Sequence, residues 1–254
     1  MSGLVLLAQD GPSTRILFHA LKDDFDIREV IVEEGVPYRD FLVRRARRYG
    51  WPTVFGQIAF RALVVPGLRI RSRARRAAIV DAHKLCDAPV DSNRLTHVSS
   101  VNSEATIGRL RALSPAVILV SGTRIVSKEV LASVSAPVVN VHTGITPLYR
   151  GVHGAYWALA QNDRPHCGVT VHLIDEGIDT GSILFQERID PTSSDDFTTY
   201  PLLQLAAALP GLRRALRELM AGPPQVIAPP TGPSRYWTHP TLLEYLRHRR
   251  RGVR

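Results

Sequence analysis

The uninterrupted apolar run AVILVS, residues 116–121, constrains this chain more than any other feature. Successive strand side chains point to opposite faces, so a strand with no polar alternation is buried on both sides. That is the signature of a parallel sheet covered by helices on each face. Three more runs read as strands: residues 3–9 (GLVLLAQ), 27–32 (IREVIV) and 137–141 (PVVNV). Between the first two, the polar turn Asp10-Gly11-Pro12-Ser13 opens an amphipathic stretch over 14–21, which reads as a helix start. A strand–helix–strand opening predicts an α/β domain with a mostly parallel, Rossmann-like sheet. The rhythm resumes later. A short strand contains Val98, helices are expected over 103–113 (capped by Ser103), 127–134 and 152–161, and strands over 168–174 and 182–189.

At 254 residues, 44% hydrophobic and 22% charged, the chain is expected to be one soluble globular domain, or one domain with an appendage. No run of eighteen uncharged apolar residues occurs, so no membrane span is expected. The opening MSGLVLLAQDGPS has no basic n-region and no small-residue cleavage site, and reads as a first strand instead of a leader. Cys86 and Cys167 could pair in principle, but they do not suggest a disulfide scaffold. A reducing cytoplasm fits.

The net charge of +9 is unevenly placed. Residues 41–80 hold ten arginines and no acid, and Arg247, Arg249, Arg250, Arg251 and Arg254 crowd the tail, leaving the remainder mildly acidic. Such clusters can form a solvated helix face, or attract a phosphorylated substrate, a nucleic acid or an anionic membrane surface. Residues 37–84 read as a helical insertion punctuated by Pro52, Pro66 and Gly67, with Trp51, Phe55 and Phe60 expected to pack it onto the body. A helix from about Phe197 to Met220 is expected to break at Pro210-Gly211. A Pro/Gly-rich connector, GPPQVIAPPTGPS, and a basic helix over 238–250 follow. The expected domains are a catalytic unit over 1–205 and a C-terminal extension over 206–254.

Two stretches carry the chemistry. In NVHTGITPLYRG, Asn140 and His142 alternate at the end of a strand and so share a face. The amide donates hydrogen bonds and a neutral imidazole accepts a proton, which suits oxyanion stabilisation and proton transfer at an attacked carbonyl. Pro147, Arg150 and Gly151 shape the loop that follows. In CGVTVHLIDEGIDTG, an acidic loop from Asp175 to Gly181 joins two strands, either as a plain hairpin connection or as the source of a carboxylate that orients an imidazole. His153, His166 and His172 are further candidates, and His172 shares a strand face with Thr170. The 10–13 turn either caps its helix or holds an anion, although Pro12 removes one donor. No H-x-x-x-H or cysteine-rich ligand pattern occurs, so no metal site is expected.

With these residues in place, the chain resembles the N10-formyltetrahydrofolate-dependent formyltransferases, which include glycinamide ribonucleotide, methionyl-tRNA and amino-sugar formyltransferases. The resemblance rests on Asn140-x-His142, on the loop through Pro147, Arg150 and Gly151, and on Asp179-Thr-Gly181; it runs from about residue 96 to 190. It implies 10-formyltetrahydrofolate as co-substrate, held by Gly122, Thr123, Arg124, Ile125 and Val126 and by Ile174, Asp175, Glu176, Gly177 and Ile178. It implies catalysis by Asn140, His142 and Asp179. The acceptor amine is expected beside Asp10, Gly11, Ser13, Thr143, Gly144, Arg150, Gly151 and His172.

Departures from the family pattern bear on the acceptor. Thr143-Gly144 replaces the usual Pro-Ser or Gly-Ser after the histidine. Gln9-Asp10-Gly11-Pro12-Ser13 replaces the phosphate loop of the glycinamide branch, which disfavours that substrate. The roughly fifty residues after the folate region do not fit the tRNA-binding barrel of the methionyl-tRNA branch. The expected acceptor is therefore a small-molecule amine, that of a nucleotide-linked amino sugar. A tRNA acceptor, glycinamide ribonucleotide, hydrolysis of formyltetrahydrofolate and non-catalytic nucleic-acid binding are the alternatives, and a homodimer is left open.

Overall fold

The computed structural model describes residues 3–254; Met1 and Ser2, part of the stretch weighed as a leader, lie outside the described residues. In chain order the strands are β1 (Leu4–Ala8), β2 (Ile27–Glu33), β3 (Leu95–Val98), β4 (Val117–Ser121), β5 (Val138–His142), β6 (Tyr149–Gly151), β7 (Gly168–Leu173), β8 (Ile183–Arg188) and β9 (Arg235–Trp237). The helices are α1 (Pro12–Leu21), α2 (Tyr38–Tyr49), α3 (Trp51–Ala59), α4 (Val65–Arg71), α5 (Arg73–Ala82), α6 (Glu104–Leu113), α7 (Lys128–Ala132), α8 (Gly154–Ala160), α9 (Tyr200–Ala221) and α10 (Leu242–Arg250). A π-helical turn, Phe60–Val64, joins α3 to α4.

Seven strands form one sheet in the order β3-β2-β1-β4-β5-β7-β8. The first five run parallel, and β7 and β8 are antiparallel to their neighbours, so the mostly parallel Rossmann-like sheet is the one observed. The continuous apolar runs follow from two cores. Leu4, Leu6, Val30, Val117 and Leu119 face α1 and α9, while Val5, Leu7, Ile31, Ile118 and Val120 face Ile107, Leu110 and Val130 of α6 and α7. Each such side chain contributes about 1.5–3 kcal/mol on burial. The chain builds outward from β1 to β3, then returns to the other side of β1 as β4, which leaves a crevice at the reversal.

Helix α9 does not break at Pro210-Gly211 but runs through both, and residue 205 lies inside it. A helix-interior proline costs roughly 3 kcal/mol. Here buried Leu205, Leu209, Leu212 and Leu216 hold the helix on the sheet regardless. At Gly211 an added Cβ would fall 2.1 Å from the Phe185 ring, so the glycine lets α9 press against β8.

The insertion is helical, as expected, but its aromatics divide. Phe60 is buried, with ring centroids 4.9 Å from Phe197 and 5.0 Å from Tyr245. Trp51 and Phe55 do not pack onto the body: they are exposed, 5.6 Å apart, because Val54 and Gln57 form the buried stripe of α3. The α3–π–α4 run spans Trp51–Arg71, and these 21 residues are long and apolar enough to cross a bilayer by length and composition. The sequence expectation required an uncharged run, which Arg61 and the arginines near its end interrupt. Arg75 is not a solvated charge; it makes two hydrogen bonds, 2.8 and 3.0 Å, to buried Asp195, and Arg76 donates to the Thr198 carbonyl.

The connector is better anchored than its composition suggests. Ile227 bridges to Ile183, and β9 pairs in parallel with β6. Strands of three residues carry no readable alternation, so this small sheet escapes sequence analysis. Thr241 and Glu244 form a reciprocal capping box at the start of α10. Tyr149, Tyr156 and Trp157 belong to an aromatic core with Phe60, Phe197 and Tyr245. Both cysteines are free, and burial pushes the Cys167 thiol up to about 12.

Candidate active site

The carboxyl ends of β1, β4 and β5 open into one cavity of about 550 Å³, at the point where strand order reverses. Open α/β sheets bind ligands there. Asn140 and His142 alternate on β5, and the antiparallel register sets them opposite His172 and Thr170 of β7. The β7–β8 connection returns Asp179 toward both. Its backbone has φ +54°, a left-handed conformation that non-glycine residues seldom adopt away from constrained sites.

Hydrogen bonds fix the protonation pattern. His142 donates from Nε2 to the Tyr149 carbonyl at 2.7 Å, so Nδ1 is left facing Asp179 Oδ1 at 3.4 Å. Asp179 Oδ2 accepts from the Gly151 N–H at 2.9 Å. His172 donates from Nδ1 to the Leu173 carbonyl at 2.7 Å, and its Nε2 accepts from Asn140 Nδ2 at 3.2 Å. Burial lowers the His172 pKa, with the neighbouring His142 ring acting in the same direction, and keeps that ring a neutral acceptor. Asn140 has a second amide hydrogen left to donate. A hydrogen-bond donor, an imidazole with one free nitrogen and a carboxylate thus converge, which suits oxyanion stabilisation and proton transfer.

Two segments form the walls expected to hold the co-substrate. Gly122, Thr123, Arg124, Ile125 and Val126 line the cavity, as do Ile174, Asp175, Gly177 and Ile178. The first segment is braced from behind by residues that sequence analysis did not single out. Buried Glu33 accepts from the Arg124 N–H at 2.6 Å and pairs with its guanidinium, while Asn102 donates to the Ile125 carbonyl at 2.9 Å and accepts from the Ser127 N–H at 2.8 Å. Their only signal was position, since each follows a predicted strand. Glu176 lies off the cavity, exposed and paired with Lys128.

Among residues expected near the acceptor, Asp10, Gly11, Ser13, Thr143, Gly151 and His172 line the cavity. Asp10 is paired with Arg15 at 3.1 Å. Gly144 and Arg150 do not line it. Gly144 sits behind the imidazole, where an added Cβ would fall 2.4 Å from the Tyr149 carbonyl oxygen and 2.9 Å from His142 Nε2; the glycine is a packing requirement. Arg150 reaches the Ile178 carbonyl at 3.3 Å and so ties β6 to the acidic loop. His166 is likewise elsewhere, bonded to Asp163 at 2.8 Å. No group of three or more His, Cys, Asp or Glu side chains among the described residues could hold a metal ion.

The structure adds His239, which no sequence signal marked, and joins it to His153. Their rings share a hydrogen bond, Nε2 to Nδ1 at 2.9 Å, and both line the cavity. Burial lowers His239 to about 4, helped by the charges of Arg45 and Arg61; burial also holds His153 well below 6.5. The unfolded chain takes up a proton below about 6.5, whereas folded His239 refuses it until about 4, so acidification through that window favours unfolding. The contribution is about 1.4 kcal/mol per pH unit. His239→Gln is expected to flatten the fall in stability between pH 6.5 and 4, measured by urea unfolding at stepped pH. An unchanged slope would show that this ring titrates alike in both states.

The fold and the site together define an α/β protein in which an amide, an imidazole and a carboxylate converge at the switch point of its sheet. A sequence model of the formyl transferase family matches residues 65–202, more than half of the chain, and the chain belongs to that family. The methionyl-tRNA formyltransferase of Anaeromyxobacter dehalogenans is 33% identical over 164 residues, covering 63% of this chain and 46% of that protein. The chain thus matches about half the length of that curated relative. A sugar N-formyltransferase from a Shewanella species superposes with a TM-score of 0.58 at 15% identity, over 92% of this chain and 75% of that one. Glycinamide ribonucleotide transformylase 1 from Symbiobacterium toebii gives 0.55 at 19% identity, over 87% and 88%. At these identities the structural likeness speaks to the fold.

Proposed function

We propose that this chain transfers a formyl group from 10-formyltetrahydrofolate to a primary amine. The observation that carries the proposal is the convergence of Asn140, His142 and Asp179 at one cavity mouth. The cavity volume is in the usual range for small-molecule sites, and its walls offer apolar Val120, Val126, Ile174 and Ile178 beside polar Asp175. That mixture suits a flat heterocycle with polar edges. In this reading the free amide hydrogen of Asn140 and a protonated Nδ1 of His142 donate to the oxygen of the attacked formyl group. The 3.4 Å between His142 and Asp179 is long for a hydrogen bond and leaves proton movement to a small adjustment or a bridging water.

The acceptor we propose is the amine of a nucleotide-linked amino sugar. The support for it is the departure of Gln9-Asp10-Gly11-Pro12-Ser13 from the phosphate loop of the glycinamide branch, with Arg124 on the cavity wall as a cation that could meet a phosphate. A methionyl-tRNA acceptor is the second reading, favoured by the names of the sequence relatives. Incubation with 10-formyltetrahydrofolate and each candidate amine, followed by mass spectrometry, tests both. A formylated nucleotide sugar is the expected product. Formylmethionyl-tRNA would move the acceptor to RNA, free formate alone would make water the acceptor, and no turnover with any acceptor would remove the activity.

A further inference from the structure

The arginine-rich insertion presents an apolar stripe that the body leaves uncovered. Along the α3–π–α4 run, Val54, Gln57, Phe60 and Leu68 are buried against the protein. On the other side Trp51 and Phe55 stand clear, and Leu63 and Ile70 are 72% and 78% exposed. Only 22% of the most apolar window of this run is buried. Exposed aliphatic and aromatic side chains at this density mark an interaction surface.

Charge selects the partner. Arg47, Arg61, Arg69, Arg71 and Arg73 are exposed and have no ion-pair partner among the described residues, and no acid occurs from residue 41 to 80. The structure also joins the two arginine clusters that the sequence separates. Helix α10 packs against α3 and the π turn, with Thr241 so close to Gly56 that an added Cβ would approach its side chain to 2.9 Å. This brings 74%-exposed Leu243, and Leu246, Arg247 and Arg250, beside the insertion.

We propose that this surface docks on an anionic lipid bilayer, lying in the interface with the helix in the membrane plane. An apolar stripe bearing Trp and Phe, flanked by long arginines whose stems can cover apolar surface, fits the boundary between headgroups and acyl chains. The run does not span the bilayer, because Gln57 is tied to Arg45, Thr238 and the His239 carbonyl and Phe60 lies in the aromatic core. A second copy on this face would set one acid-free arginine cluster against another. RNA would use the arginines but leave Leu63 and Ile70 uncovered. Docking here is independent of which amine the cavity accepts.

The test is sedimentation of the full chain with vesicles of phosphatidylcholine alone, or of phosphatidylcholine with phosphatidylglycerol, alongside Trp51 fluorescence. The expected result is at least about tenfold stronger partition onto the anionic vesicles, weakening with salt, with a blue shift that Trp51→Phe removes. Phe55→Ser/Leu63→Ser/Ile70→Ser and, separately, Arg69→Glu/Arg71→Glu/Arg73→Glu should each lower partition about tenfold or more. Neither set lines the cavity, so vesicle-free turnover and unfolding midpoints should match the parent. Equal partition onto both vesicle types, or an unaffected serine triple variant, would overturn the proposal. So would absence of vesicle binding together with RNA binding, or with a dimer that the serine substitutions dissociate.

Discussion

Asn140→Ala is expected to lower the turnover of formyl transfer by about 10²–10³, the usual consequence of losing one oxyanion donor. Asn140 Nδ2 carries two hydrogens, and one is committed to His172 Nε2 at 3.2 Å. That bond holds the amide plane, so the second hydrogen is aimed without loss of side-chain freedom when substrate arrives. The substitution also strips a buried imidazole of its donor, which costs about 1–3 kcal/mol of stability if nothing replaces it. The two effects separate in measurement. Loss of the oxyanion donor lowers kcat with little change in KM, whereas loss of the brace lowers the urea midpoint. Turnover near that of the parent, with the chemical step shown to limit the rate, would remove Asn140 from the catalytic set.

Asp179→Asn is expected to lower kcat by about 10²–10⁴, the range for a general acid–base partner. The substitution keeps the size of the side chain and an oxygen able to accept from the Gly151 N–H, which Asp179 Oδ2 now does at 2.9 Å. What it removes is the negative charge 3.4 Å from His142 Nδ1. In the proposed mechanism that carboxylate faces the Nδ1 proton that His142 donates to the formyl oxygen, and takes up the amine's proton through a bridging water. Residues that work as one unit lose activity as one unit, so His142→Ala added to Asp179→Asn should lower kcat little beyond the worse single variant. Fully multiplicative losses would show that the two side chains act in separate steps, and single-turnover rates would check it.

Much of this was legible in the sequence, for identifiable reasons. AVILVS and GLVLLAQ announce a sheet covered on both faces because burial there is continuous. Asn140 and His142 share a face because strand alternation leaves no choice, and the register with His172 and Thr170 completes it. The less legible parts depend on contacts between distant segments. Pro210-Gly211 looks like a helix stop until the Phe185 ring is seen occupying the missing side chain's place. Trp51 and Phe55 look like anchors until Val54 and Gln57 prove to be the buried stripe. Glu33, Asn102 and His239 carry no local pattern; each acquires its role only from what the fold sets opposite it.

The small β6–β9 sheet has a consequence for how the chain tolerates change. Gly151 adopts φ +94°, and an added Cβ would lie 2.2 Å from the Trp237 carbonyl oxygen, so β9 fits against β6 with no clearance. The same residue's N–H holds the Asp179 carboxylate. Trp237 in turn is clamped by stacking on Trp157, with ring centroids 4.5 Å apart. The tail is therefore a gauge block for the acidic loop. A shift of β9 becomes a shift of the Asp179 carboxylate, so under the proposed function a change in β9 would be felt as altered chemistry before it was felt as unfolding.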